Sequence, residues 1–416
     1  MSTLPLENIR IIDLSQVYAG PYATRLLADM GAEVIRVEST VRSTRGGPTP
    51  QPGAVYPDGD PGERPYNRSA YYNELNRNKL AISLDLSKEK SREIFKQLVN
   101  ISDVVLENFA PRVMANFGLD YPVLSEVNSK IIMVSISAYG QTGPYRNYVS
   151  FGHGIEAMSG VSEITAYEDG DPLGPGIAYA DATAGLHAAF AMLIALRHRR
   201  KTDRGQHIDL SLRESLLALM GEHILNHSMN KRSPERRGNH DSSAIFQGCY
   251  RCNGNDEWIS IAIDNDDELQ LLCNVIGNPL WAKEEGFNNL SNWQCNQHEI
   301  DKLIEQWTIQ KDRQSAMQIL QKAGVRAGAV LDAAQITHDP HLNQRDFFEK
   351  VNHPEAGTHS YPGIPWKLSL TPGSIRIPAP CFAQHNDYVF GELLGMSEEE
   401  ITRLENQGII SSIPIQ

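Results

Sequence analysis

Ile9–Glu38, IRIIDLSQVYAGPYATRLLADMGAEVIRVE, decides the architecture. Ile9–Leu14 is a short apolar run rich in branched residues and reads as a buried strand. Ser15–Pro21 carries turn residues, Tyr22–Met30 a helical pattern, and Gly31 stops that helix. Glu33–Glu38 reads as a second strand. Strand, helix and strand at this spacing make a βαβ unit, right-handed with parallel strands. A dinucleotide-binding unit of this kind carries G-x-G-x-x-G in its first turn. Here that turn holds Gly20 alone, followed by Pro21, so a standard NAD or FAD site is excluded.

Outward from this unit, residues 40–70 are rich in proline, glycine and charge, a long loop of the kind used for lids and binding. Ala81–Leu86, Asp103–Glu107, Ile131–Ile136 and Gln206–Leu212 read as strands, and Lys88–Val99 and Glu214–Leu225 as helices. The strands' C-terminal ends bring Tyr18, Asn108 and Ser137–Gln141 to one edge, where open α/β sheets bind ligands. Arg77 and Lys79, with nearby amides, suit phosphates there. Gly176–Arg200 holds a second decisive stretch. Ala182–Leu196 is apolar or small on almost every side, the mark of a buried helix. Asp181 stands immediately before it, where an N-cap belongs, and Arg197–Lys201 crowd the other end. The small residues Ala182, Ala184 and Gly185 leave room for a bulky group. Asp181 is therefore either a cap or a carboxylate held charged for chemistry.

Met229–Asp241 reads as a linker, Cys249–Ile263 as a hairpin about Asn253–Gly254, and helical patterns run on through Lys322. The expected organisation is an N-terminal part of a large domain at 1–200, a linker at 201–229 and a small α+β domain at 230–325. Residues 326–416 then return to complete the large domain, closing with helices at Asp387–Leu394 and Ser397–Gln407. The 416 residues carry a net charge of −13, with 41% hydrophobic and 21% charged residues. That acidity argues against nucleic acid or an anionic membrane as partner. The N-terminus lacks an apolar signal core, and no continuous apolar run reaches about 18 residues, so neither export nor a membrane span is expected. Five cysteines fit a reducing cytoplasm. Cys249-x-x-Cys252 is too few ligands for a structural zinc, and no metal is expected.

Several short motifs occur in order along nearly the whole chain. They include Ala19-Gly20-Pro21 with Gly31-Ala32-Glu33-Val34-Ile35 and Glu38, then Asn76-Arg77-Asn78-Lys79 with Leu84-Asp85-Leu86. Asp103-Val104-Val105 with Glu107-Asn108-Phe109 and Gly140-Gln141-Thr142-Gly143-Pro144 follow. Ser159-Gly160, the Asp181 helix, Gly205-Gln206, Asp339-Pro340-His341 and Ala379-Pro380 with Gln384-His385-Asn386 complete the set. In these the chain resembles the class III CoA-transferases, a family that includes formyl-CoA:oxalate and carnitine-type CoA-transferases and the α-methylacyl-CoA racemases. The resemblance implies a Rossmann-like large domain from both chain ends, a small α+β domain, and two chains interlocked as rings. It implies an acyl-CoA:carboxylate CoA-transferase acting on acyl-CoA and small carboxylic acids, with no permanently bound cofactor, and Asp181 as its nucleophile. It implies CoA contacts from Val17, Tyr18 and Ala19, from Leu75, Asn76, Arg77, Asn78 and Lys79, and from Asn108 and Phe109. Ser137, Gly140, Gln141 and His153 are expected as substrate or oxyanion contacts.

The chain departs from the family in places. Ser39 stands where transferases often carry a basic residue for the nucleotide, for which Arg42 or Arg45 is the expected substitute. Ala110 follows Phe109 where many members have arginine. The glycine run of formyl-CoA transferases is missing around Asn239–Gln247, which disfavours oxalate or formate. Two alternatives remain: racemase-type proton transfer by His153 and Asp181, although Gly154 follows the histidine where racemases usually have aspartate, and a non-catalytic CoA-binding subunit.

Overall fold

The computed structural model describes residues 4–41, 49–233, 235–240, 246–278, 280 and 289–414. Arg42, Arg45 and residues 241–245 of the Asn239–Gln247 stretch lie outside them. The chain forms two compact units: Met1–Val161, Gly174–Lys231 and Asn343–Gln416 make one, Ser162–Leu173 and Arg232–Leu342 the other.

The larger unit opens with β1 (Arg10–Asp13), α1 (Ala19–Asp29) and β2 (Glu33–Glu38). The helix starts ahead of the expected Tyr22, because the chain turns helical straight after Tyr18 and Pro21 fits a first turn. After α2 (Ala70–Asn76) come β3 (Lys79–Ser83), α3 (Glu89–Asn100), β4 (Val104–Glu107) and β5 (Ile132–Ser137). Then α4 (Gly152–Met158), the long α5 (Tyr179–Thr202), β6 (Gln206–Ser211), α6 (Leu212–Leu217) and α7 (Gly221–Asn230) follow. The six strands form one parallel sheet, order β3-β2-β1-β4-β5-β6. Ile11, Ile12, Val34, Ile35, Val104, Val105, Ile132 and Val134 have no exposed surface, as expected where both sheet faces are covered. Residues 201–229, expected as a linker, are instead largely β6, α6 and α7, with β6 packed on β5 and both β6 and α6 on α5.

α5 differs from its expected form in two ways. Its cap is Ala178, so Asp181 is the helix's third residue and not the N-cap. It is also not buried all round: Leu186, Phe190, Leu193 and Ile194 are exposed along one side. By length and composition alone it could cross a membrane, yet 56% of its most apolar window is buried within the fold. Gly185 brings it against α1, because a Cβ there would stand 2.8 Å from the Ala19 carbonyl oxygen and the Tyr22 ring.

The smaller unit contains β7 (Phe246–Arg251), β8 (Trp258–Ile263), α8 (Asp266–Val275), α9 (Gln297–Thr308), α10 (Arg313–Lys322) and β9 (Arg326–Ala329). Its strands make an antiparallel β7-β8-β9 sheet. Back in the larger unit, β10 (Phe348–His353) and β11 (Gly357–Pro362) form a hairpin that the proline-rich sequence did not suggest. α11 (Glu398–Asn406) ends the chain, with a Ser397–Glu400 capping box. The returning segment covers β3: Asn78 N–H donates to the Ile377 carbonyl at 3.1 Å, and His385 N–H to Ala81 at 2.9 Å.

A charge network lies under the first turn. Asp13 has no exposed surface. It accepts from Lys79 Nζ at 3.0 Å, Thr24 Oγ1 at 2.7 Å and the Ser15 N–H at 2.9 Å, with Arg36 3.8 Å away. Lys79 Nζ also donates to the Pro21 carbonyl at 2.9 Å and Asn76 Oδ1 at 3.0 Å. Burial pushes the Lys79 ammonium down to about 8 while Asp13 opposes that shift. Burial would raise the Asp13 carboxyl, but Lys79, then Arg36, hold it below its ordinary value. Removing one partner strands the other's charge in the core. Lys79→Met is therefore expected to cost about 3–5 kcal/mol in a denaturant titration. Unchanged stability with a raised KM for acyl-CoA would instead mark Lys79 as a phosphate contact.

Candidate active site

A cavity of about 340 Å³ opens at the C-terminal ends of β1, β4 and β5. The strand order reverses between β1 and β4, the place where such sheets bind ligands. Gln16, Val17 and Ala19 come from the turn after β1, Asn108 and Phe109 from the turn after β4, and Ser137 from the end of β5. Asp181, Leu212 and residues 148–151 complete the wall. Asn108 ties the two turns together: its Oδ1 accepts from the Gln16 N–H and its Nδ2 donates to the Gln16 carbonyl, both at 2.7 Å. Val17 sits at φ 63, so its turn needs such fixing.

Asp181 is set from three directions. The Ala19 N–H at the start of α1 stands near its carboxylate and favours the anion. Gly152, the first residue of α4, lies beneath it, and a Cβ there would stand 2.3 Å from Asp181 Oδ2. The capping role expected of Asp181 belongs to Glu156 on α4. That fully buried carboxylate accepts the Tyr179 N–H at 2.9 Å and the Ala180 N–H at 3.5 Å through Oε1, while Oε2 meets His153 Nδ1 at 3.1 Å. The first two N–H groups of α5 are thus taken by another acid. Burial pushes the Asp181 carboxyl up to about 6, with Glu156 adding to the shift and the Ala19 N–H and His153 opposing it. Tyr18 and Tyr71, whose rings lie 6.1 Å apart, are both raised, chiefly by burial, and Asp181 contributes to each shift.

Of the expected site residues, the cavity brings Val17, Ala19, Asn108, Phe109, Ser137 and Asp181 together. Tyr18 stands close enough to feel the Asp181 charge. The Leu75–Lys79 side chains do not belong to the cavity wall, and all five are buried. Arg77 pairs with Asp29 at 2.8 Å and also donates to the Pro362 carbonyl. Asn78, at φ 60, bridges Asp29 and the Ser374–Ile377 backbone. Asn76 serves Lys79 and the Tyr72 carbonyl. These residues hold the fold together where phosphate contacts were expected, because each charge already has a buried partner. The Asn108 amide is likewise spent on Gln16. Gly140 and Gln141 are outside the wall, the Gln141 N–H bonding Asp209 at 2.9 Å. His153 is outside it too, with a side chain 76% exposed. Ser137 Oγ is buried in the wall with no hydrogen-bond partner among the described residues. Glu156 and Gln16 escaped the sequence reading, since nothing local marks a glutamate that caps a helix 23 residues later.

The profile of CoA-transferase family III matches residues 6–386. The chain belongs to that family. Succinyl-CoA–D-citramalate CoA-transferase of Chloroflexus aurantiacus is 32% identical over 407 residues, 98% of each chain. Succinate–glutarate CoA-transferase of Agrobacterium fabrum is 32% identical over 392 residues, 94% of this chain and 96% of that one. Among solved structures, a CaiB/BaiF family protein from Brucella suis aligns with a TM-score of 0.83 at 29% identity, over 94% of this chain and all of that one. Family III members with these names transfer CoA, so CoA thioesters are the substrates to set against the cavity.

Two outcomes follow from the geometry. Gly152→Ala pushes the Asp181 carboxylate aside and should lower kcat by about a hundredfold, with a far smaller effect on the thermal midpoint; an unaltered kcat would show that the close approach is unimportant. Any reaction needing the Asp181 anion should lose kcat/KM as pH falls through about 6. A limb in the ordinary aspartate range, near 4, would contradict the environment described.

Proposed function

We propose that this protein moves CoA from an acyl-CoA donor to a carboxylic acid acceptor by covalent catalysis on Asp181. The observation that carries this reading is a carboxylate at a sheet-edge cavity, raised to about 6 yet still mostly anionic at neutral pH, with room before it. An Asp181 oxygen attacks the thioester carbonyl, the C–S bond breaks, and an acyl-aspartyl anhydride and CoA thiolate result. The thiolate attacks the Asp181 carbonyl, releasing the donor acid and leaving an aspartyl-CoA thioester. The acceptor carboxylate reverses both steps and departs as the new acyl-CoA. No proton is moved on balance, and the cycle calls for no permanently bound cofactor.

The tetrahedral steps need a donor for the oxyanion. The Tyr179 and Ala180 N–H groups that open α5 are engaged by Glu156. The unpartnered Ser137 hydroxyl in the cavity wall fits this task better. Val17, Ala19 and Phe109 are the CoA contacts retained from the sequence, by wall and backbone. Racemase-type transfer is the weaker reading. It needs His153 beside Asp181, but His153 points outside the wall with Nδ1 held by Glu156, and a Cβ at Gly154 would meet Ser150 Oγ at 2.2 Å. A non-catalytic subunit would have no need of Asp181. The five free thiols fit the cytoplasm.

The reading includes a homodimer of interlocked rings, the form the family resemblance implies. Leu186, Phe190, Leu193 and Ile194 recur at helical spacing on the exposed side of α5, with Phe190 65% exposed, a stripe that a second copy would cover. Light scattering at micromolar concentration should give a dimer; a stable, active monomer would contradict it.

The decisive variant is Asp181→Asn. It keeps volume and removes the anionic nucleophile. With succinyl-CoA or acetyl-CoA and a panel of acids, followed by mass spectrometry, turnover should fall by roughly a thousandfold or more while CoA binding and thermal midpoint hold. Near-normal transfer by Asp181→Asn would sink the mechanism. Incubation in deuterated water separates the rival: label entering the α-carbon without an acceptor acid would mark a racemase.

A further inference from the structure

Glu156 is a buried carboxylate that the transfer chemistry does not use. It lies on α4, behind the first turn of α5, and it is fully buried. One of its oxygens takes the Tyr179 and Ala180 N–H groups, the two residues ahead of Asp181. Its other oxygen holds His153 Nδ1 at 3.1 Å. Gly152, one turn earlier on the same helix, carries the Asp181 carboxylate against its Cα. Three residues of α4 and three of α5 therefore join as one assembly, with two acids sharing a helix start.

We propose that Glu156 is a positioning residue that keeps Asp181 a strong nucleophile: it takes two of the helix-start donors that would otherwise quieten the Asp181 anion and sets a fixed negative charge behind it, with His153 as the counterweight. This rests on Asp181 being the nucleophile. An ordinary helix start stabilises a carboxylate and weakens it as a base. Here Glu156 fills the first two donors, those of Tyr179 and Ala180, and the helix start is left with the Asp181 N–H itself to favour the anion. The other groups facing Asp181 add no competing charge. Tyr18, ahead of α1, and Tyr71 of α2 are pushed up and stay protonated. β5 offers the Ser137 hydroxyl and α6 the apolar Leu212. On β6, His207 is lowered by burial against the opposing Asp209 charge, with no contribution from Asp181. Glu156 and His153 are the charges that act on Asp181, in opposite senses.

The test is the pH profile of kcat/KM for CoA transfer by the full-length protein and two variants. Glu156→Gln keeps a carbonyl oxygen for the Tyr179 and Ala180 N–H groups, so the cap and thermal midpoint should hold. Its acid limb should move down by roughly one pH unit, the size of a single neighbouring charge, and the plateau should fall a few-fold as the nucleophile weakens. His153→Asn changes an exposed side chain and should move the limb the other way, upward. Unmoved limbs in both variants, with Asp181→Asn inactive, would overturn this inference alone and leave Glu156 a simple cap. An active Asp181→Asn would instead overturn the reading on which it rests. Should Glu156→Gln fail to fold, the His153→Asn limb decides: an upward shift supports the couple, and no shift or a downward one refutes it.

Discussion

The buried carboxylate of Asp13, and the Lys79 ammonium that answers it, set the conditions for everything at the sheet edge. Asp13 ends β1 and binds the Ser15 N–H and the Thr24 hydroxyl, so the strand, the turn and the helix after it are fixed by one side chain. Lys79 reaches the same carboxylate and the Pro21 carbonyl from β3. Arg36 donates to the Ser15 carbonyl at 2.9 Å from β2. Three strands thereby hold one turn. Desolvating these charges is costly and is offset only by mutual pairing and full hydrogen bonding. The rigid turn presents the Ala19 N–H to Asp181, and Gly185 lets α5 come close enough to receive it.

Three buried or half-buried carboxylates show how partners decide role. Asp13 faces two cations and is held below its ordinary value. Glu156 faces two backbone N–H groups and an imidazole, a cap's surroundings. Asp181 has the Ala19 N–H of α1 and its own N–H to favour the anion, another acid behind it and an open cavity before it, and it is raised. A carboxylate meant to attack carbon benefits from that shortage of donors, since full satisfaction would lower its reactivity. Structural acids and the proposed nucleophile thus differ in neighbours more than in depth.

Much of this was legible in the residues. β2 occupies the expected Glu33–Glu38, and the βαβ opening and the edge bearing Asn108 and Ser137 were readable because parallel strands are apolar throughout. Asp181 stood out because a long apolar helix follows it. The role of Leu75–Lys79 was not legible. Charged residues beside a ligand edge resemble phosphate holders until their partners are known, and those of Arg77 and Lys79 lie 48 and 66 residues away. β9 through β11 were missed for a local reason. Arg326–Ala329 is small and glycine-containing, and Phe348–Pro362 carries few apolar side chains, so neither shows the alternation of a strand.

The central claim is that a carbon–oxygen bond forms and breaks at Asp181. The most direct measurement uses an acceptor acid with both carboxylate oxygens replaced by the heavy isotope, supplied with unlabelled acyl-CoA. When the acceptor attacks the aspartyl-CoA thioester, its oxygen bridges the new anhydride and stays on the enzyme as the acyl group leaves to CoA. Mass spectrometry of the digested protein should find heavy oxygen in the peptide containing Ala180–Ala182, on Asp181 and no other acid. Full turnover with an unlabelled Asp181 peptide would contradict the account.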